Sequence, residues 1–275
     1  MTINRKSDKE LAFLQDLFIA PDWGERFAEL IDAHVKLPKE GKAVYVAAGT
    51  GGHALALRER AGHKVELLCV DENPECLEIA KAKATATLEQ VTFSVAKVNQ
   101  LNVRDNQFDL VIGNASLVPR QLVREMFGEM VRVAAPGATI ALTLPTFSSF
   151  GEFFSIYWEA LYNRSLLDHE PEVEHLITEL PTVSNLTQMA EEEGLKDVAS
   201  WTRIEEFDFA SGEQFLTAPL IGEFLMHAWL ALVPVDKRAD LFEEISRLIN
   251  EERHEAEFAL SVKATLIVGQ KAHSH

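Results

Sequence analysis

Cysteine is nearly absent: Cys69 and Cys76 are the two in 275 residues, and neither belongs to a Cys-x-x-Cys pair or a Cys/His cluster. That argues against a disulfide scaffold or a bound metal, and fits core thiols in a reducing cytoplasm. Basic residues are also short, with 26 Lys and Arg against 43 Asp and Glu, giving a formal charge of −17 spread along the chain. A surface of that sign repels a phosphate backbone, so no nucleic-acid partner is expected, although a local basic pocket stays open. No apolar run approaches the roughly 20 residues that span a bilayer, so stable membrane insertion is not expected. The opening residues, MTINRKSDKELAFLQDLF, have no apolar stretch leading to a small-residue cleavage site, and the reading is cytoplasmic. His-Glu-x-x-His, Gly-x-Ser-x-Gly and P-loop strings are missing, which argues against zinc proteases, serine hydrolases and P-loop nucleotide hydrolases. What remains is a chain 47 % hydrophobic and 25 % charged, the balance of a globular protein with a sizeable core.

Apolar periodicity divides the chain into alternating helices and strands. Residues 8–18 and 23–36 read as helices, the second with Asp22 as its N-cap and Phe27, Leu30 and Ile31 on one face. Strands are expected at 43–48, 65–70, 91–95, 108–112 and 139–144. Helices are expected at 53–61, 74–87 and 120–133, the last closed by Pro136-Gly137. Short apolar strands alternating with helices imply a parallel sheet covered on both faces. After Pro145 the pattern changes. Residues 147–162 are aromatic-rich and helical, 168–181 acidic, 186–193 a short helix and 198–209 a strand. A helical block at 212–253 is broken at Pro219 and Pro234, and a last strand runs over 260–268.

The first strand ends in the turn Gly49-Thr50-Gly51-Gly52, and a helix follows. Strand, glycine turn and helix together present backbone N–H groups and a helix N-terminus to a ligand, with glycine allowing close approach and unusual φ/ψ. Asp71 lies 20 residues beyond Gly51, at the end of the next strand. A carboxylate there can accept both hydroxyls of a ribose, or it can merely cap the helix that starts near Pro74. The same turn satisfies the dinucleotide pattern Gly-x-Gly-x-x-Gly/Ala through Ala54, so an NAD-dependent oxidoreductase remains open at this point.

Two downstream features name a family. Gln107-Phe-Asp-Leu-Val-Ile-Gly-Asn114 and the Arg132-Val-Ala-Ala-Pro-Gly137 segment before the fifth strand resemble the type 11 branch of the class I S-adenosylmethionine-dependent methyltransferases. The last segment, Phe258 to Lys271, is similar to that family's final strand. The resemblance implies an α/β fold: a Rossmann-like, doubly wound, mostly parallel seven-stranded sheet with an antiparallel last strand and a helical cap. The implied divisions are N-terminal helices at 1–40, a cofactor-binding core at 41–146, an aromatic cap segment at 147–182, and completion of the sheet at 183–271 with a helical insertion over about 212–253. It implies S-adenosyl-L-methionine as cofactor, held by Gly49, Thr50, Gly51, Gly52, Asp71, Glu72, Val98, Asn99 and Asn114. Three positions depart from the family. Its acid and first glycine are replaced by Tyr45 and Ala47, and its adenine-edge aspartate falls at Lys97, beside Asn99. A non-catalytic relative that keeps the fold as a binding domain therefore stands as a further alternative.

Methyl transfer to an activated sulfonium's partner depends on proximity and orientation, and a base is needed only when the acceptor must lose a proton. A small apolar or aromatic acceptor is expected against Phe150, Phe154, Tyr157 and Trp158 of the aromatic stretch, which follows the fifth strand; a cap helix packed on the core gives the same stripe. His169 and His175 are weak candidates for a general base, and His53 for the cofactor's carboxylate. The apolar helices around 220–232 and 241–249 read as ordinary core, with a homo-oligomer interface or a lipid-facing lid as the alternative.

Overall fold

The computed structural model describes residues 6–87, 91–166, 170–231, 233–252 and 257–273. They divide into two compact units. A sheet unit comprises Ser7–Leu144, Thr182–Thr202 and Ala264–His275, and an aromatic unit comprises Met1–Lys6, Pro145–Pro181 and Arg203–Lys263.

The sheet has seven strands in the order β3-β2-β1-β4-β5-β7-β6. They are β1 Gly41–Val46, β2 Val65–Asp71, β3 Val91–Val95, β4 Phe108–Asn114, β5 Ala134–Pro145, β6 Leu195–Phe209 and β7 Phe258–Lys271. Strands β1 to β5 pair in parallel and the last strand is antiparallel, as the resemblance implies. Ala43, Val44, Tyr45 and Val46 of β1 are all buried, the signature of a strand covered on both faces. Helices α3 Gly52–Ala61, α4 Pro74–Thr87 and α5 Arg120–Val133 make the connections. Val44, Val111, Ile140 and Leu142 share one core cluster with Met126, Phe127 and Met130 of α5. A Cβ on Gly113 would come within 2.7 Å of the Met130 sulfur, so glycine is what lets α5 pack this close to β4. Arg132 of the family-like segment ties the loop after β3 to α5. It donates to Glu129, to Asp105 and to the carbonyls of Leu101 and Val103, while Glu129 accepts from the Leu101 N–H.

Three local features differ from expectation. Helix α1 Asp8–Leu14, with its Ser7/Glu10 capping box, continues without a break through a π-helical stretch, Gln15–Gly24, into α2 Glu25–His34. Asp22 caps nothing; it pairs with Arg26 at 2.9 Å. Pro21 has no N–H to give an ordinary helix, and the wider turn passes it. Pro136-Gly137 does not close α5, which ends at Val133 and enters β5 at once. The pairing with β4 then jumps from Phe108↔Ala134 to Leu110↔Thr139, and Gly137, at φ 81°, sits in that irregularity. Helix α6 Gly151–Asn163 starts later than the aromatic pattern suggests, after Phe150 at φ 65°.

The aromatic unit holds α6, α7 Glu170–Glu179, α9 Gly212–Thr217, a π-helical stretch Leu220–Leu225, α10 Met226–Trp229 and α11 Val235–Glu252; α8 Val183–Glu192 belongs to the sheet unit. Its core is aromatic. Phe153 stacks on Trp229 (centroids 4.4 Å apart) and on Tyr157 (5.6 Å), and Phe215 meets Phe153, Phe209 and Phe258. The Tyr157 hydroxyl donates to the Trp229 carbonyl at 3.3 Å. Glu244, buried between α6 and α11, accepts from Arg247 and Asn163, and these bonds hold its carboxyl down at about 2. No described helix is long and apolar enough to cross a membrane.

The chain leaves β1 through Ala47 at φ 56°, a left-handed conformation that a Cβ disfavours by roughly 1–2 kcal/mol. Glycine would relieve this at a cost of about 0.5–1 kcal/mol in unfolded-chain entropy. Ala47→Gly is therefore expected to stabilise the fold by about 1 kcal/mol, seen as a higher urea midpoint at unchanged m. An unchanged or lower midpoint would show that Ala47 is not strained.

Candidate functional site

The turn after β1 is built by backbone geometry and one carboxylate. Gly49 and Gly51 adopt φ of 54° and 77°, so with Ala47 three of five consecutive residues are left-handed. Gly51 stands at the N-cap of α3 and offers no side chain, which leaves first-turn N–H groups of α3 without a cap. A Cβ on Gly51 would press to 2.7 Å from the Ala80 Cβ of α4, whereas one on Gly52 would meet open space. Asp71, at the end of β2, accepts the Gly49 N–H on Oδ2 at 2.7 Å and the Asn73 N–H on Oδ1 at 2.9 Å. The cap of α4 is Asn73, which accepts the Glu75 N–H at 2.9 Å. Asp71 thus is not the helix cap, and with the Glu72 N–H as a third backbone donor its carboxylate keeps one lone pair for a further donor. Burial pushes its carboxyl pKa up, and the backbone N–H groups of Asn73, Gly49 and Glu72 pull the other way.

The remaining expected cofactor residues are partly engaged. Glu72, exposed, accepts the Val98 N–H at 2.9 Å and so holds the loop after β3 against the end of β2. The Asn99 amide donates to Glu125 at 2.5 Å. Asn114, at the end of β4, accepts the Ser116 N–H at 3.1 Å and hydrogen-bonds the Tyr45 hydroxyl. Thr50 is buried, and the Lys83 ammonium reaches its hydroxyl at 3.4 Å. Asp71 therefore bonds the turn formed by Gly49, Thr50 and Gly51, Asn114 reaches Tyr45 on the strand before it, and Val98 and Asn99 belong to a loop held to the end of β2 through Glu72.

Tyr45, where the family carries an acid, heads a chain of hydrogen bonds. Its hydroxyl lies 2.9 Å from His53 Nδ1, and His53 Nε2 lies 2.8 Å from Asp32 Oδ1 on α2, which also pairs with Arg60. Burial alone would raise the Asp32 carboxyl, but hydrogen bonds from His53 and Arg60 outweigh it and hold it at about 2. Asp32 therefore accepts, His53 carries its proton on Nε2, and Nδ1 accepts from the Tyr45 O–H. Burial raises the Tyr45 pKa, which keeps the phenol protonated at neutral pH. Both nitrogens of His53 are thus engaged within the chain. Asp32 had no local sequence signal; it lies 21 residues before His53, on a helix read only for its apolar face.

Of the base candidates, His169 lies outside the described residues, and His175 is exposed on α7 in the aromatic unit. Among the described residues no group of three His, Cys, Asp or Glu is placed to hold a metal ion.

A family model described as a methyltransferase domain matches residues 43–137. A demethylmenaquinone methyltransferase of Staphylococcus aureus is 30 % identical over 171 residues, 58 % of this chain and 70 % of that protein. The chain belongs to the class I S-adenosylmethionine-dependent methyltransferases. Solved structures share the fold of this methyltransferase. The YcgJ protein of Bacillus subtilis matches with a TM-score of 0.58 and 16 % identity, over 91 % of this chain and all of that one. Phosphoethanolamine N-methyltransferase 2 of Haemonchus contortus, in complex with S-adenosyl-L-methionine, matches with a TM-score of 0.54 and 16 % identity, over 97 % of this chain and 58 % of that one. The cofactor of the methyltransferase is S-adenosyl-L-methionine, and NAD drops out as the competing reading of the glycine turn. The turn fits the group: a side chain on Gly52 would meet open space, and Asp71, bonded to the Gly49 N–H, retains acceptor capacity beside it.

Asp32 is lowered from 3.8 to about 2, so its stabilising effect is complete above pH 4 and is lost as pH falls through 2. Asp32→Asn is expected to flatten the decline in urea stability between pH 4 and 2. A decline as steep as in the parent would show that the His53 and Arg60 bonds contribute nothing there.

Proposed function

We propose that this methyltransferase acts in the cytoplasm on a small apolar or aromatic acceptor, held by the aromatic unit. The observation that carries this reading is a cavity of about 600 Å³ in that unit. It is lined by Gly151, Phe154, Ser155, Trp158, Glu159, Tyr162 and Ile177, between α6 and α7. A pocket of this size walled by aromatic rings with one carboxylate suits a flat apolar molecule carrying a single polar group. Phe154 and Trp158 face this space, whereas Phe150 and Tyr157 are buried in the aromatic packing and support it. The Staphylococcus aureus relative is named for demethylmenaquinone, which fits an apolar acceptor. Two buried free thiols, Cys69 and Cys76, support the compartment.

When bound, the cofactor supplies a methyl group already activated by its sulfonium. The chain's part is to hold and to orient. Gly49 to Gly52 admit the cofactor to the backbone, and Asp71 accepts hydroxyl donors from its ribose. The aromatic walls offer the acceptor a flat apolar face and fix its plane, and orientation is what an in-line displacement gains from.

Isothermal titration with 2-naphthol as an aromatic probe, and with ethanolamine as a polar one, tests the acceptor class. The parent protein is expected to bind naphthol and not ethanolamine. Trp158→Ala and Phe154→Ala should each weaken naphthol by about 10-fold, the loss expected for one buried aromatic face. Naphthol binding that is indifferent to both changes would overturn the assignment of the cavity.

A further inference from the structure

One side chain outside the family-like motifs lies against the glycine turn. Gln15 opens the π-helical stretch Gln15–Gly24, and a Cβ built on Gly49 would fall 2.5 Å from its Nε2. The orientation of this amide is fixed by its other end: Oε1 accepts from the Cys76 thiol of α4 at 3.3 Å. Burial raises the Cys76 thiol to about 12, so it remains a donor, and only the amide nitrogen can then face the turn. No acceptor for the Nε2 protons occurs among the described residues. The next residue clamps the same segment: Asp16 pairs with Lys83, whose ammonium also reaches Thr50 of the turn. A π-helical stretch at this place is consistent with a functional site, because such turns persist where they aim a side chain.

We propose that Gln15 is a cofactor-positioning residue whose Nε2 donates a hydrogen bond to an oxygen of the S-adenosyl group bound against Gly49. The N-terminal helix then forms a wall of the cofactor site, and the Cys76 thiol sets its register by locking the amide. The donor chemistry suits either the carboxylate or a ribose oxygen of the cofactor. This inference rests on the reading that the cofactor lies on the Gly49 to Gly52 turn beside Asp71.

The test is isothermal titration of S-adenosylhomocysteine and of 5′-methylthioadenosine, which lacks the carboxylate, into the full chain. Gln15→Ala and Gln15→Glu are compared with the parent, alongside their melting temperatures without ligand. Gln15→Ala should weaken S-adenosylhomocysteine by about 10-fold, the usual value of one hydrogen bond to a polar or charged group. Gln15→Glu keeps the shape and the Cys76 contact but lacks the donor, and should lose at least as much; it decides the matter if the alanine variant folds poorly. Loss confined to S-adenosylhomocysteine assigns the carboxylate, and equal loss of both ligands assigns the ribose. Binding by Gln15→Glu as tight as the parent's, or tighter binding by Gln15→Ala, overturns the proposal, since Gln15 would then only fill or block the turn. An Asp71→Asn control separates the two readings. If it loses affinity while the Gln15 variants do not, only Gln15 falls; if it also binds normally, the placement of the cofactor falls with it.

Discussion

The Asp71 carboxylate joins the ends of β1 and β2 by accepting the Gly49 N–H, and the geometry of the glycine turn depends on that bond. It fixes a turn whose left-handed residues would otherwise sample many conformations. It is also made by a group that burial disfavours in its charged form, so the backbone N–H groups of Asn73, Gly49 and Glu72 are what keep Asp71 useful as an acceptor. Because Asn73 takes over the capping of α4, Asp71 is released from a helix-cap role. The loop after β3 is brought in by the neighbouring Glu72, and α4 is brought against the turn at Ala80. One carboxylate and the residues on either side of it thus organise four elements around the glycine turn.

The altered first motif is compensated in backbone and in charge by different means. Ala47, where the family carries glycine, is left-handed and carries the strain of being so. Tyr45 carries no charge, but the hydrogen-bonded chain through His53 ends on Asp32, a carboxylate borrowed from α2. Low dielectric around Tyr45 strengthens such a chain, and each bond polarises the next. At Tyr45 a neighbouring helix thus supplies the carboxylate that the strand does not, whereas at Ala47 the strain stays in the backbone.

Much of this was legible from sequence. The helix 74–87 and the strand 91–95 fall at their expected limits because pattern and flanking signals agree, whereas helix 120–133 does so on its apolar face alone, its expected stop Pro136-Gly137 lying inside β5. The glycine turn and Asp71 are local features and were placed by spacing alone. Gln15, Asp32 and Cys76 were not legible as partners of the site, since they reach it through tertiary packing over separations that leave no pattern. The π-helical stretch was hidden for a related reason: Pro21 and Asp22 give the ordinary signals of a helix end, and tertiary contacts override them. In the aromatic segment one stripe serves two purposes. Phe153 and Tyr157 face the core and Trp158 the cavity, a division that helical spacing cannot resolve.

The central claim is that Asp71 holds the turn and the cofactor with the same carboxylate. Calorimetric titration of S-adenosylhomocysteine into Asp71→Asn tests it most directly, with circular dichroism to show that the sheet is retained. The account predicts a loss of affinity of roughly 10- to 100-fold, the value of one or two hydrogen bonds to a charged acceptor, in a folded protein. Affinity equal to the parent's would contradict it and reduce Asp71 to a structural tie between two strands.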